Sequence, residues 1–258
     1  MQGHGLHRTE RLVLFIPLLL LLAACGSKTV PKQAATITPT PVIAPIPTLP
    51  NIPGVAVHFS TQDHLQLDGL LYGHGSTTAI ICSHQHPGSK EDWYDSAPWF
   101  AARGFMVLAY DFRGWGESQG PFEVSKLDKD VFAAITFVHS RGAKKVILLG
   151  ASMGADISLI AAAETQVAGV IALSPEYLFG LSDTQIRAIF APKLLINSIN
   201  DSYVADTQQM FQQARPPKAL HLYPGNAHGV DIFGADNGQD LIARILAFVN
   251  SYAPLRSS

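Results

Sequence analysis

A serine stands between two glycines in the segment "VILLGASMGA", Val146 to Ala155. An apolar run leads directly into Ser152 and helical spacing follows it, so a strand, a turn and a helix are predicted in that order. Gly150 and Gly154 leave room for a sharp turn. A serine on such a turn can act as a nucleophile, because the backbone N–H groups at a helix N-terminus favour developing negative charge. The alternative is that Ser152 is only a small residue between two buried elements.

A serine hydroxyl is a weak nucleophile unless a base, itself held by a third group, takes its proton. Two residues later in the chain could complete such a set in the order serine, acid, histidine. Asp201 follows the apolar run "KLLINSIN", and His228 lies in the loop "NAHGV" after "ALHLYPG". Alone, Asp201 would be read as a turn residue and His228 as a loop histidine, but together with Ser152 they predict a catalytic triad. Other acids and histidines fit the order or the predicted elements less well: Asp156, Asp206, His221, Asp231 and Asp236.

The elements that must position these residues alternate along the chain. From Val55 onward, short apolar runs of the strand type alternate with segments of helical periodicity, which predicts an α/β fold with a mostly parallel sheet and helices on both faces. The segments "VAVHFS" and "LQLDGLLY" predict an antiparallel N-terminal hairpin. One helix is predicted over "EDWYDSAPWFAARG", ending at Gly104. Ligands on such sheets bind beyond the carboxyl ends of the strands, where all three candidate residues fall.

These residues resemble the α/β-hydrolase superfamily, in particular its serine esterases and serine aminopeptidase-like members, over Val55 to Tyr252. The segment "SHQHPGSKEDW" is similar to the family's oxyanion loop, H-G-x-P-G-S, and "DFRGWGES" is similar to its D-x-R-G-x-G-x-S segment. The resemblance implies an oxyanion hole made of the backbone N–H groups of Met153 and His86. Gln85 departs from the glycine usual at its position. This departure implies either that the loop has another shape or that the backbone N–H of Gln85 itself serves as the oxyanion donor.

The remaining side chains of these two segments are given structural roles. Asp111 and Arg113 are expected to hydrogen-bond a glycine-rich loop. The pair His84 and His86 could indicate a metal site, but no carboxylate lies next to it in the sequence. The His84 side chain is therefore expected to have a structural role. We therefore expect no metal and no cofactor.

Only Pro175 to Ala191 separates the strand ending at Ser174 from the next one, which predicts no large cap domain and a fairly open pocket. Tyr177, Leu178 and Phe179 could form an apolar wall or pack on the sheet. The expected activity is that of a carboxylesterase working through an acyl-enzyme. The alternatives are an aminopeptidase-like or thioesterase hydrolase, and a non-catalytic, envelope-tethered binding protein on a hydrolase fold.

The N-terminal region predicts export. A basic start and the apolar stretch Leu12 to Ala24 are typical of a secretory signal, and "LAAC" resembles the bacterial lipobox, which implies lipidation of Cys25. The predicted organisation is a signal peptide over residues 1–24, a lipidated cysteine and Pro/Thr-rich linker over 25–54, and a hydrolase domain over 55–258. The expected location is extracytoplasmic, with the protein held on a membrane through Cys25.

Composition limits the partners. The formal net charge is −2 and no long basic run occurs, which argues against nucleic acid as a partner. The two cysteines, Cys25 and Cys82, build neither a disulfide framework nor a zinc site. A small ester or peptide is the expected substrate, and the oligomeric state is left open.

Overall fold

The computed structural model describes residues 50–255. The predicted signal peptide, Cys25 and residues 25–49 of the predicted linker lie outside the described residues. The first strand begins at Val55, where the sequence pattern changes.

Eight strands form one sheet in the described chain. They are β1 (Val55–Ser60), β2 (Gln66–Tyr72), β3 (Thr78–Ser83), β4 (Met106–Tyr110), β5 (Lys145–Ala151), β6 (Gly169–Leu173), β7 (Lys193–Ser198) and β8 (Lys218–Tyr223). Their order across the sheet is β1-β2-β4-β3-β5-β6-β7-β8. Strand β2 pairs antiparallel with β1 and β4, and all other pairs are parallel. The predicted parallel sheet and N-terminal hairpin are therefore confirmed.

Seven α-helices accompany these strands within residues 50–255. They are α1 (Ala97–Ala101), α2 (Leu127–Ser140), α3 (Met153–Glu164), α4 (Asp183–Ala188), α5 (Val204–Gln213), α6 (Asp231–Gly234) and α7 (Gly238–Tyr252). No described helix has the length and apolar character needed to cross a membrane. Between β6 and β7 the chain forms only the short helix α4, so the prediction of no large cap domain holds.

The core consists of two apolar layers, one on each face of the sheet. One layer packs α2 and α3 onto the sheet, and the other packs α1 and α7. Strands β3 and β4 lie between the layers and every residue in them is buried, as expected for parallel strands covered on both faces. Cys82 belongs to this buried set and is a free thiol.

One predicted helix is divided in the structure. The segment read as a single helix up to Gly104 forms a short 3-10 helix, Lys90–Trp93, and then α1, which begins at Ala97. Proline has no N–H to donate to the preceding turn and is tolerated only in a first helical turn. Pro98 occupies that position in α1, so the helix restarts there.

The glycine-rich segment after β4 is held by two buried charges. The Asp111 carboxylate accepts hydrogen bonds from the Lys90 backbone N–H and the Glu117 N–H, at 2.7 and 3.2 Å. Arg113 is 1% exposed and pairs with Asp130 of α2 and with Asp63. Asp111 thus binds its loop as expected, whereas the Arg113 guanidinium ties the loop to α2 and to the hairpin between β1 and β2.

Candidate active site

Ser152 lies at a sharp junction between β5 and α3. Its backbone has φ 51° and ψ −118°, and a positive φ of this kind costs free energy in a non-glycine residue. A Cβ atom on Gly150 would come 2.0 Å from the carbonyl oxygen of Gly154, and one on Gly154 would come 2.2 Å from that of Ser83. Only glycine fits at both positions, so the turn depends on the close approach of β5, α3 and β3.

His228 and Asp201 are hydrogen-bonded partners beyond the ends of β8 and β7. The Nδ1 atom of His228 lies 2.7 Å from Oδ2 of Asp201. The other carboxylate oxygen of Asp201 accepts the Tyr203 N–H at 2.7 Å, and the Ser198 hydroxyl donates to the Ala227 carbonyl next to the histidine. The pair is therefore fixed from both loops, and Nε2 of His228 is left for another partner.

The Ser152 hydroxyl does not bond to His228 in this structure. It donates to Oε1 of Glu176 at 2.9 Å. Glu176 is the third residue after β6, the strand that lies beside β5 in the sheet. Sequence reasoning missed this residue, although it stands at the same sheet edge as the three that were predicted. Its position in the sequence could have identified Glu176, because it lies two residues after Ser174, the residue at which that strand was expected to end.

Glu176 is a buried carboxyl group without a cationic partner. It is 4% exposed, and no side-chain nitrogen of a described lysine, arginine or histidine lies within 4.0 Å of it. Burial raises the pKa of Glu176, and the hydrogen bond from Ser152 and the charge of His228 oppose that rise. The negative charges of Asp201 and Asp206 raise its pKa further. The surroundings of the serine are thus acidic.

Asp156 holds the loop that carries Glu176. Its carboxylate, in the first turn of α3, accepts the backbone N–H of Glu176 at 2.9 Å and that of Phe179 at 3.3 Å. Burial raises the pKa of Asp156 to about 7, although these N–H groups oppose the change. Asp156, an acid that fitted the predicted triad less well, thus binds the loop after β6 and not the Ser152 hydroxyl.

The two expected oxyanion donors belong to the start of α3 and to the loop after β3. Met153 is the first residue of α3, so its N–H has no partner within the helix. His86 lies in the loop after β3, and its backbone N–H makes no hydrogen bond to another described residue. The N–H of Gln85 instead donates to Oδ2 of Asp92 at 3.3 Å. Among the N–H groups considered from the sequence, those of Met153 and His86 are therefore the ones still available.

His84 is structural, as expected. It is fully buried, its Nε2 accepts the Phe112 N–H at 3.1 Å, and its Nδ1 lies 2.7 Å from the Gln85 carbonyl oxygen. Burial lowers the pKa of His84. Both ring nitrogens bind backbone groups, so His84 cannot act as a metal ligand in this arrangement.

Aromatic rings form one side of the region around His86. Its imidazole packs against three rings at centroid distances of 5.1 to 5.8 Å, those of Trp115, Phe122 and Phe179. Leu178, by contrast, is 60% exposed. Of the three apolar residues considered as a wall, Phe179 is thus the one that meets the loop after β3.

Comparisons with known proteins agree with this architecture. The family model described as the alpha/beta hydrolase fold matches residues 78–227. The bifunctional epoxide hydrolase 2 of Sus scrofa is 31% identical over 104 residues, which are 40% of this chain and 17% of that protein. The uncharacterized protein YfhR of Escherichia coli O157:H7 is 24% identical over 230 residues, which are 76% of this chain and 80% of YfhR. The chain thus spans less than a fifth of the first relative and most of the second.

Solved structures give the same fold. An esterase of Pyrococcus furiosus superposes with a TM-score of 0.68 at 21% identity, over 78% of this chain and 93% of that one. At this identity the likeness speaks for the fold alone. The predicted α/β-hydrolase fold is confirmed.

Proposed function

This chain belongs to the alpha/beta hydrolase family, and from that premise we propose that it is a serine hydrolase that cleaves carboxylic esters through an acyl-enzyme on Ser152. The observation that carries the proposal is the 2.7 Å contact between His228 and Asp201 at the sheet edge where β5 delivers a strained serine. A carboxylate on Nδ1 fixes the imidazole tautomer, so that Nε2 can take a proton from a hydroxyl.

The reaction proceeds in two halves. Ser152 Oγ bonds to the ester carbonyl carbon while His228 Nε2 takes the hydroxyl proton, and the N–H groups of Met153 and His86 bind the oxyanion. The C–O bond to the alcohol then breaks, and His228 returns the proton to the leaving oxygen. In the second half water attacks the acyl-enzyme, His228 accepts a proton from the water, and the acid leaves as Ser152 regains its proton.

The hydroxyl must turn from Glu176 to His228 before this reaction. A rotation about the Cα–Cβ bond of Ser152 would release the hydroxyl from Glu176, since serine has three staggered side-chain conformations. Hydrogen bonds at a catalytic serine are commonly completed only when substrate binds. Glu176 therefore holds the hydroxyl of the free protein, and the incoming substrate takes its place beside the carboxylate.

An ester is the first substrate class for two reasons. The segment between β6 and β7 holds only the short helix α4 and no cap domain that would select a larger substrate, and a solved structure of this fold is an esterase. Thioester and aminopeptidase-like substrates are the alternatives, because the same triad chemistry serves each leaving group. A tethered binding protein is the alternative outside catalysis.

The test is labelling of the full-length protein with a fluorophosphonate, with the adduct mapped by mass spectrometry. We expect one adduct on Ser152, and its loss in Ser152→Ala together with a fall in ester turnover of about 10⁴-fold or more. Ser125→Ala, at an exposed serine, is the matched control and should behave as the wild type. A folded protein that takes no label would overturn the proposal and favour the binding protein.

A further inference from the structure

We propose that Glu176 binds a protonated amine of the substrate beside Ser152, so that the preferred substrates are α-aminoacyl compounds. The inference rests on the proposed function and narrows it. Three observations support it: the distance between the Glu176 carboxylate and Ser152 Oγ, the negative charge around Glu176, and the contacts that hold the loop carrying it.

The distances suit an amine on the carbon next to the carbonyl group. In an α-aminoacyl group the nitrogen lies about 2.5 Å from the carbonyl carbon, as two bonds and the angle between them require. In the free protein the Glu176 carboxylate lies 2.9 Å from Ser152 Oγ, so it borders the space that an acyl group on this serine would enter. An ammonium group at this position would be within hydrogen-bonding distance of the carboxylate while the carbonyl carbon meets the serine.

The negative charge of the carboxylates around Ser152 also favours the binding of a cation. An ionised carboxylate without a partner is costly in a buried position, and burial raises the pKa of Glu176 for that reason. Asp201 and Asp206 add negative potential. Hydrogen bonds between an ammonium group and a carboxylate are about twice as strong as those between neutral groups. A cationic substrate would supply the partner that the described side chains do not.

The loop that carries Glu176 contains residues in energetically costly backbone conformations, which other contacts hold in place. Ser174 and Tyr177, on either side of Glu176, both have positive φ angles, of 49° and 58°. Asp156 binds the loop through two N–H groups, and the Thr207 hydroxyl donates to the Pro175 carbonyl oxygen at 3.1 Å. Strain of this kind persists where the surrounding contacts enforce it, and it concentrates at ligand sites.

A second reading gives Glu176 the task of orienting Ser152 only. An orienting residue would affect every ester alike, because it would not contact the part of the substrate that differs. An amine-binding residue would affect only substrates that carry the amine. The two roles can therefore be distinguished by comparing each amino ester with the ester that lacks only the amino group.

The experiment uses full-length wild type and Glu176→Gln, with methyl esters of alanine, leucine and phenylalanine. Each is paired with the ester that lacks only the amino group: propanoate, 4-methylpentanoate and 3-phenylpropanoate. At pH 6.5 the amines are protonated, because their pKa lies near that of a chain terminus, about 7.7. We expect the wild type to prefer at least one amino ester by roughly tenfold to a hundredfold in kcat/KM, as one charged hydrogen bond implies.

Glu176→Gln should lose that preference, because its kcat/KM for the amino ester should fall at least tenfold further than its kcat/KM for the ester without the amine. Glu164→Gln, at an exposed glutamate, is the matched control and should keep the preference. No preference in the wild type for any pair, or a preference that survives in Glu176→Gln, would overturn the inference. An equal loss for both members of a pair would assign Glu176 to orienting Ser152, which also overturns it.

Competition against fluorophosphonate labelling supplies a readout that needs no turnover. Leucinamide should slow the labelling of wild type, 4-methylpentanamide should not, and Glu176→Gln should show no difference between them. Equal effects of the two amides on the wild type would count against the inference. A protein that neither takes label on Ser152 nor cleaves any ester would instead mark the failure of the proposed function.

Discussion

The side-chain oxygen of Gln85 accepts a hydrogen bond from the backbone N–H of Val230 at 3.1 Å. It joins the loop after β3 to the loop that carries His228. A Cβ atom on Gly229, which has φ 56°, would come 2.3 Å from the same oxygen, so the two loops fit closely. A glycine at position 85, as the family's motif has it, could not make this bond. The departure from the motif is thus a tie between two loops of the site.

Replacing Gln85 with alanine should weaken this tie. The Val230 N–H would lose its acceptor in a partly buried position, at a cost of about 1 to 3 kcal/mol in the free energy of unfolding. We expect kcat for an ester to fall by about tenfold, because His228 would be held less firmly. Urea unfolding and steady-state kinetics measure the two effects. Gln62→Ala, at an exposed glutamine, is the control, and equal behaviour of the two variants would contradict the argument.

Replacing Asp201 with asparagine should leave the fold intact and remove most activity. The amide keeps the shape of the side chain and one accepting oxygen, but it favours the wrong tautomer of His228. Losses of about 10⁴-fold in kcat are typical of this change in a serine triad. Asp95→Asn, at an exposed aspartate, serves as the control. Turnover within tenfold of the wild type in Asp201→Asn would remove this residue from the proposed mechanism.

Asp156 should make stability depend on pH. Burial raises its pKa from 3.8 to about 7 in the folded state. Between these two values the folded protein holds a proton that the unfolded chain has lost, so the free energy of unfolding falls as the pH rises. At 1.36 kcal/mol for each pKa unit, the contribution lost as the pH rises from 3.8 to 7 is about 4 kcal/mol.

Asp156→Asn removes this titration and isolates the effect. Urea unfolding of both proteins at pH 5, 6, 7 and 8 should show the stability of the wild type falling relative to that of the variant. The difference should level off above about pH 8, where Asp156 is ionised in both states. Parallel pH profiles would show that the carboxyl titrates alike in the folded and unfolded chains.

Lipidation at Cys25 remains a proposal drawn from the sequence "LAAC". Acyl chains on this cysteine would hold the protein on a membrane, since two or more chains anchor stably. Cys25→Ser should therefore move the protein from the membrane fraction to the soluble fraction after expression in a bacterium. Cys82→Ser, at the other cysteine, is the control and should stay with the membrane. Membrane recovery of Cys25→Ser equal to that of the wild type would contradict the proposal.

Local patterns in the sequence were sufficient for the strands, most helices and the sheet edge at which the candidate residues meet. Apolar runs and helical spacing are short-range properties, and a parallel sheet brings the ends of its strands to one edge. Ser152, Asp201 and His228 could be selected because each follows such a run. The division of one predicted helix into a 3-10 helix and α1 was harder to predict from the sequence, since Pro98 is compatible with a first helical turn as well as with a kink.

Which side chains touch at that edge follows from the packing of loops that are distant in the sequence. The contacts of Ser152 with Glu176, of Asp156 with the Glu176 loop and of Gln85 with Val230 join residues 20 to 145 positions apart. No local pattern encodes such contacts, because they depend on how separate loops pack and on which side-chain conformation the packing allows. Short-range patterns were thus enough to select Ser152, Asp201 and His228 as candidates, whereas the packing of separate loops placed a buried carboxylate beside the serine.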